Sequence, residues 1–422
     1  MMVPNGWDKT RLKHIARIKS GSTPLRAKQD VYYSIDGTPW VKTLDLNNSE
    51  IIKTDERITE LALKETSCSI FPVNTVLVAM YGGFNQIGRT GLLTVPSAIN
   101  QALSGLILDS KKAEPKYILN YLNGNVRQWK KFAASSRKDP NITREDVCGF
   151  EVLLPPLPEQ QKIAKILSTW DKAIATTEKL IATSQQQKKA LMQQLLTGKK
   201  RVLNPETGKM FEGDWEEVKL GDLSSKITKG TTPSTNGFQF HEHGINFVKV
   251  ESILKSGQFD LSKFAYIDDE CHSAFKRSQL EKGDILFSIA GALGRTAMVT
   301  SDILPANTNQ ALSIVRLKKS SRCAEFIIQY LNCSAIAATI KGLTAQAAQP
   351  NLSLKDVGNL PIKLPTLKEQ QKIASVLTAA DKEIELLQAK LVHLKEEKKA
   401  LMQQLLAGKH RVKVDLDMEI AS

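Results

Sequence analysis

The run Glu159-Gln-Gln-Lys-Ile-Ala returns as Glu369-Gln-Gln-Lys-Ile-Ala. Lys188-Lys-Ala-Leu-Met-Gln-Gln-Leu-Leu-Thr-Gly198 returns as Lys398-Lys-Ala-Leu-Met-Gln-Gln-Leu-Leu-Ala-Gly408. The offset is 210 positions in both cases, with no gap. Self-similarity at a fixed spacing limits the chain to two copies of one unit, whatever else it contains. Each copy reads as a globular part followed by one long helix. In the first helix the seam runs Ile163, Leu167, Trp170, Ile174, Thr177, Ile181, Ser184, Leu191 and Leu195, interrupted by Lys188. In the second it runs Ile373, Leu377, Ala380, Ile384, Leu387, Leu391, Leu394, Leu401 and Leu405, interrupted by Lys398. Alternating steps of four and three are the heptad seam of a coiled coil. Some 40 residues of helix span roughly 60 Å at 1.5 Å per residue. So narrow a seam needs a partner. The other copy in the same chain is the expected one, and a second molecule is the alternative.

The rest of the chain divides around these helices. Residues 1–155 form the first globular part, with strands expected at Val76–Met80, Ala102–Leu108 and Val152–Leu154 and a helix opening after Pro115. Pro155, Pro156 and Pro158 make a stiff entry into the helix of 156–200. A linker over 201–214 carries an Asn-Pro and Gly turn. The second globular part, 215–365, restarts at Trp215 as the first does at Trp7, and the second helix covers 366–410. Matched pairs recur along the two parts: Gly21-Ser-Thr-Pro with Gly230-Thr-Thr-Pro, Trp40-Val-Lys42 with Phe247-Val-Lys249, Gly88-Arg-Thr90 with Gly294-Arg-Thr296, and Asn100-Gln-Ala-Leu-Ser with Asn309-Gln-Ala-Leu-Ser. Between these anchors the halves differ freely, so one scaffold carries two surfaces. The tail 411–422 alternates apolar and charged residues from Val412 to Ile420, which predicts a half-buried strand lying near the N-terminus. The expected class is α+β: two globular domains related by a pseudo-two-fold axis, separated by two long antiparallel helices forming a coiled coil.

Charge narrows the partner. The chain carries 58 Lys and Arg against 44 Asp and Glu, a formal net charge of +14, which suits a polyanion. A hydrophobic content of 41% allows real cores. No run of about 20 apolar residues is present, so no transmembrane helix is expected. The N-terminus lacks a basic-then-apolar signal. The five cysteines are irregularly spaced with no C-x-x-C, as for reduced thiols in the cytoplasm. Catalytic signatures are missing. No phosphate-binding loop or dinucleotide fingerprint occurs, and no Asn-Pro-Pro-aromatic loop that would hold an amino group for methylation. His241, His243, Cys271 and His272 do not supply the three or four convergent ligands a zinc site needs. The chain reads as a binding protein and not an enzyme, with no metal.

The Pro-Pro-Leu-Pro-Glu-Gln-Gln-Lys-Ile-Ala entry, the Gln-Gln-Leu-Leu-Thr-Gly-Lys exit and the Trp…Gly-x-Thr-Pro start of each half resemble the DNA-specificity subunit of type I restriction-modification systems. The resemblance covers essentially the whole chain. It implies that each globular part is a target recognition domain reading one half of a bipartite site on double-stranded DNA. It implies that the helices act as a spacer and dock two adenine-N6 methyltransferase (modification) subunits, which two motor-nuclease (restriction) subunits can join. It implies that S-adenosylmethionine, ATP and Mg belong to those partners and that this chain binds none of them. One departure is Trp170, whose equivalent is Ala380. A bivalent protein- or RNA-binding adaptor is the rival that charge and duplication alone would permit.

Side chains that read DNA sit on polar loops, with Arg and Lys neutralising phosphates and amides and hydroxyls reaching base edges. The candidates in the first domain are Ser22, Thr23, Arg26, Lys28, Lys42, Asn85, Gln86, Arg89, Arg137, Lys138 and Asn141. In the second they are Thr231, Thr232, Ser234, Lys249, Arg295, Gln346, Gln349 and Asn351. Gly-Arg-Thr and Asn-Gln-Ala-Leu-Ser are unchanged between the halves, which favours phosphate positioning or fold maintenance over base contact. For partner docking, the glutamines of the helix ends are taken as exposed: Gln160, Gln161, Gln193 and Gln194, with their copies Gln370, Gln371, Gln403 and Gln404.

Overall fold

The computed structural model describes residues 3–83, 85–134, 141–318, 323–345 and 350–414. The chain falls into two units: Met1–Glu178 with Ala389–Ser422, and Lys179–Gln388. Each unit therefore holds one globular part, the opening of the long helix that follows it, and the closing stretch of the other long helix.

In the first unit, Asp8–Arg11 pairs antiparallel with Glu151–Leu154, tying the start of the globular part to its end. A five-stranded sheet runs in the order Ala16–Ser20, Leu103–Leu108, Val76–Ala79, Thr90–Leu93, Glu50–Ile51. All its pairings are antiparallel except the last, which is parallel. Val76-Leu-Val-Ala is apolar without alternation because both faces of that strand are covered, and all four residues are buried. A second sheet sets Tyr33–Val41 between Glu56–Ile58 and Ala98–Ile99. The Pro115–Gly124 helix begins on a proline whose missing N–H costs nothing there, with Glu114 capping it.

The second unit repeats this plan. Glu216–Lys219 pairs with Pro361–Leu364. A four-stranded antiparallel sheet runs Ser224–Lys229, Leu312–Leu317, Ile285–Ser288, Thr296–Met298. A three-stranded sheet sets Ile245–Val248 between Ala265–Ile267 and Ala306–Thr308.

The long helices are Leu157–Leu195 and Leu367–Leu405, 39 residues each. Within each unit the two helix segments run antiparallel. In the first, Asp171 meets Lys398 at 2.5 Å and Glu178 meets Lys395 at 2.7 Å. In the second, Lys188 meets Asp381 at 2.5 Å. The two lysines that interrupt the seam are thus the ones that find an aspartate across it. Each globular core is closed by both segments. Ile163, Leu167, Leu405 and Leu406 join the core of the first unit, and Leu195, Leu196, Ile373 and Leu377 that of the second. Each such side chain contributes ~1.5–3 kcal/mol by burial. The helices end on Gly198 and Gly408, both at positive φ (+72° and +65°), the left-handed residue that stops a helix. No single helix among the described residues is long and apolar enough to cross a membrane.

The strand expected over Val412–Ile420 has no counterpart at its described residues. Residues 411–414 carry no strand, and 415–422 lie outside the described residues. What anchors this end is Arg411, whose Nη1 donates to Asn5 O at 2.6 Å. The described end of the chain and its start therefore meet within one unit.

Candidate nucleic-acid interface

The two shared loop motifs are brought together in each unit. A Cβ on Gly21 would lie 2.0 Å from Ile99 O, and one on Gly230 1.9 Å from Thr308 O, so only glycine lets the loop lie against that strand. The next backbone amide, Ser22 or Thr231, donates to that same carbonyl at 3.0 Å. Thr23 then donates its hydroxyl to Gln101, and Thr232 donates to Gln310. The motifs are 78 residues apart in both copies. Thr90 is hydrogen-bonded to Asn123 at 2.6 Å and Thr296 to Asn332 at 2.7 Å, joining Gly-Arg-Thr to the helix that follows the sheet. Arg295 spends its Nη1 on the carbonyls of Ile253 (2.7 Å) and Val250 (3.4 Å). These shared residues hold the frame.

The residues that differ carry different chemistry on that frame. In the first unit Arg26 lies 4.5 Å from the Tyr33 ring centre and 5.4 Å from that of Trp40, and pairs with Glu56 at 2.8 Å. Lys28 reaches Tyr32 Oη at 3.1 Å and crosses its ring face at 5.1 Å. Lys42, a candidate for DNA contact, has its ammonium engaged by neighbouring carboxylates. It pairs with Glu56 at 2.8 Å and lies 3.7 Å from Asp55. Burial pushes the Glu56 carboxyl up, but hydrogen bonds from Lys42 and Arg26 outweigh it and hold the group below its ordinary value. The matched Lys249 instead sits over the half-exposed Phe240 ring at 4.5 Å. Lys42 is thus neutralised locally, whereas Lys249 rests on an aromatic face.

Of the remaining candidates, Asn85, Asn141, Ser234 and Asn351 are exposed and Gln86 and Arg89 half-buried. Thr231 accepts from Arg277 Nη2 at 3.4 Å. Arg137, Lys138, Gln346 and Gln349 lie outside the described residues. His241 pairs with Asp268 at 3.3 Å, and burial pushes the Cys271 thiol up. Among the described residues no group of His, Cys, Asp and Glu could hold a metal ion.

One surface was missed. The Tyr33–Val41 strand loops out Ser34–Gly37, since its pairing with Ile58 jumps from Tyr33 to Thr38. Arg57 Nη1 ties the loop down through Gly37 O at 3.0 Å. Ile35 stands 90% exposed at its tip, beside a 490 Å³ hollow lined by Arg26, Tyr33, Lys53 and Arg57. Gly244 takes the place of Gly37 in the second unit, preceded by exposed His241, Glu242 and His243. An isoleucine in an alternating stretch reads as core, which is why the sequence did not single it out.

On the helices, Gln161, Gln193, Gln194, Gln371, Gln403 and Gln404 are exposed as expected. Gln160 and Gln370 are not, at 0% and 1% exposure. Gln160 accepts from Glu114 N (2.9 Å) and donates to the carbonyls of Lys112 (2.9 Å) and Pro155 (2.8 Å). Gln370 accepts from Cys323 N (3.2 Å) and donates to Pro365 O (2.8 Å). They fasten the helix to its globular part and offer no free surface.

Known proteins share this organisation. The type I restriction modification DNA specificity domain matches twice, over residues 4–184 and 212–396. The putative type I restriction enzyme MjaX specificity subunit of Methanocaldococcus jannaschii is 26% identical, over 97% of this chain and 95% of its own length. The EcoKI specificity subunit of Escherichia coli K12 is 22% identical, over 88% of this chain and 81% of its own. The crystal structure of the type I restriction-modification S subunit from M. genitalium matches the fold with a TM-score of 0.61 at 16% identity, over 96% of this chain and 98% of that one. Two matched domains, together spanning most of the sequence, place this chain in the type I restriction-modification DNA specificity family, as a DNA-recognition subunit.

Proposed function

We propose that this chain reads a bipartite, asymmetric DNA site and directs the modification and restriction subunits of a type I complex to it, without catalysing a reaction. The observation that carries this reading is the pairing of a common frame with unlike surfaces. Thr23–Gln101 and Thr232–Gln310 repeat the same contact. Around them, Arg26 stacked on Tyr33 and Trp40 in one unit is answered by Lys249 on Phe240 in the other. A protein with two identical reading surfaces would select a repeated half-site. Two unlike ones select two different half-sites.

Most of the affinity comes from Lys and Arg neutralising phosphates, and discrimination from amides, hydroxyls and apolar groups at base edges. The long helices set the separation of the half-sites and, through exposed glutamines at their matched ends, dock two modification subunits. S-adenosylmethionine, ATP and Mg act on the partner subunits. The domains approach one face of the duplex about one helical turn apart. Methylome sequencing of a host carrying this chain with its partner subunits tests the reading. The expected result is one adenine-methylated motif of two unlike half-sites with a single spacer length. A genome with no such motif would sink it.

A further inference from the structure

We infer that two ion-paired clasps, and not the apolar seam, fix how far the long helices are slid along each other and so select the spacer length. The inference rests on the specificity reading above and names the residues that set one of its terms.

The seam is a poor register mark. Between Leu167 and Leu195 the only buried side chain is Thr177, and between Leu377 and Leu405 the only one is Ile384. With so little apolar surface buried in the middle of the seam, sliding there costs little burial energy. The helix ends bury leucines, but a slip of four residues replaces Leu405 by Leu401 and Leu195 by Leu191, and Leu406 and Leu196 by the methionines Met402 and Met192, apolar for apolar. The two Lys–Asp pairs across the seam are partly exposed, with Asp171 at 46% and Asp381 at 31%, so solvent screens them.

The clasps tolerate no such exchange. Glu159, at the opening of the first helix, is 3% exposed, and Glu369, its copy, is fully buried. Arg411, just past the end of the second helix, holds Glu159 with Nε at 2.7 Å and Nη2 at 2.8 Å. Arg201, just past the end of the first helix, holds Glu369 with Nε and Nη2, both at 2.7 Å. Both arginines lie against a tryptophan, Arg411 at 5.7 Å from the Trp7 ring centre and Arg201 at 5.9 Å from that of Trp215. Trp7 Nε1 adds a bond to Glu159 at 3.2 Å. The remaining guanidinium donors go to backbone, Asn5 O for Arg411 and Gly213 O for Arg201. In each unit, then, the tail of one helix grips the head of the other by a two-pronged contact.

The arginines are partly exposed, Arg411 at 45% and Arg201 at 21%, but the carboxylates are not, so a slip would pull the arginine off and leave a buried carboxylate unpaired, the most costly way to break an ion pair. The neighbouring lysines Lys200 and Lys409 cannot stand in, because an ammonium lacks the planar fork. A slip of four residues moves a helix about 6 Å, close to two base pairs at ~3.4 Å each. The clasps therefore convert a continuous sliding coordinate into one allowed value.

The test is Glu159→Gln with Glu369→Gln in the full chain, expressed with its partner subunits and read by methylome sequencing. Glutamine keeps the shape and an acceptor for tryptophan while removing the charge. Both half-sites should stay as they are, and methylation should spread to spacers shifted by about two base pairs. Arg201→Lys with Arg411→Lys, which keeps a charge on each clasp, should spread in the same direction to a smaller extent and serves if the glutamine pair fails to fold. A folded variant that methylates only the original spacer overturns the inference alone. A wild-type chain that yields no two-part motif overturns the specificity reading beneath it.

Discussion

Gln160 and Gln370 are polar residues on an apolar stripe. Each lies three positions before a buried isoleucine, Ile163 or Ile373, and seven before a buried leucine, Leu167 or Leu377, so helical spacing turns all three toward the globular core. Their amides bond backbone of the globular part, at Glu114 and Lys112 for Gln160 and at Cys323 for Gln370, as well as the proline carbonyl that precedes each helix, Pro155 or Pro365. Replacing Gln160 by Leu would strand Glu114 N–H and the carbonyls of Lys112 and Pro155. An expected loss of about 3 kcal/mol follows, because stranded buried groups cost their full desolvation. Gln161→Ala, one position along and exposed, should change stability by less than about 0.5 kcal/mol. Chemical denaturation of the two variants separates them, and equal effects would mean that the Gln160 contacts contribute nothing. Glu159 obeys the same geometry, four positions before Ile163, which is how a carboxylate comes to be buried at a helix opening.

At the scale of the element, the long helices were legible because duplication marked both ends and the seam spacing marked the face. Their interruption by lysine was legible as well, but its meaning was not, since a one-dimensional pattern does not show Asp171 and Asp381 waiting across the seam. The same limit hid the Thr23–Gln101 and Thr232–Gln310 contacts, whose motifs were visible singly but stand 78 residues apart. Ile35 was hidden by a different cause: a looped-out segment reverses the inside–outside alternation on which strand reading depends. Helix length itself is open to measurement. Inserting four residues, about one turn, near residues 180 and 390 should lengthen the preferred spacer and leave both half-sites unchanged. Methylome sequencing reads both. Altered half-sites would show that the helices do more than separate.

Over the whole molecule the formal charge of +14 sets the salt response. Each phosphate neutralised contributes about −0.9 to the slope of log affinity against log salt. Arg137→Ala with Lys138→Ala should weaken DNA binding and flatten that slope by up to about two phosphate contacts. Lys42→Ala should leave the slope unchanged, because Glu56 already consumes that charge. Fluorescence anisotropy titrations across a salt series distinguish them, and an unchanged slope in the double variant removes those two residues from the interface. The way each core is closed has a further consequence, for the order of synthesis. The second unit is one uninterrupted stretch, Lys179–Gln388, so every group it needs has been made once Gln388 is added. The first unit needs Leu405 and Leu406 in its core and Arg411 on Glu159. During translation its sheets emerge first, yet its core stays open, with Glu159 lacking its guanidinium, until Arg411 has left the ribosome, well after the second unit is complete. The half that is made first is therefore the half completed last.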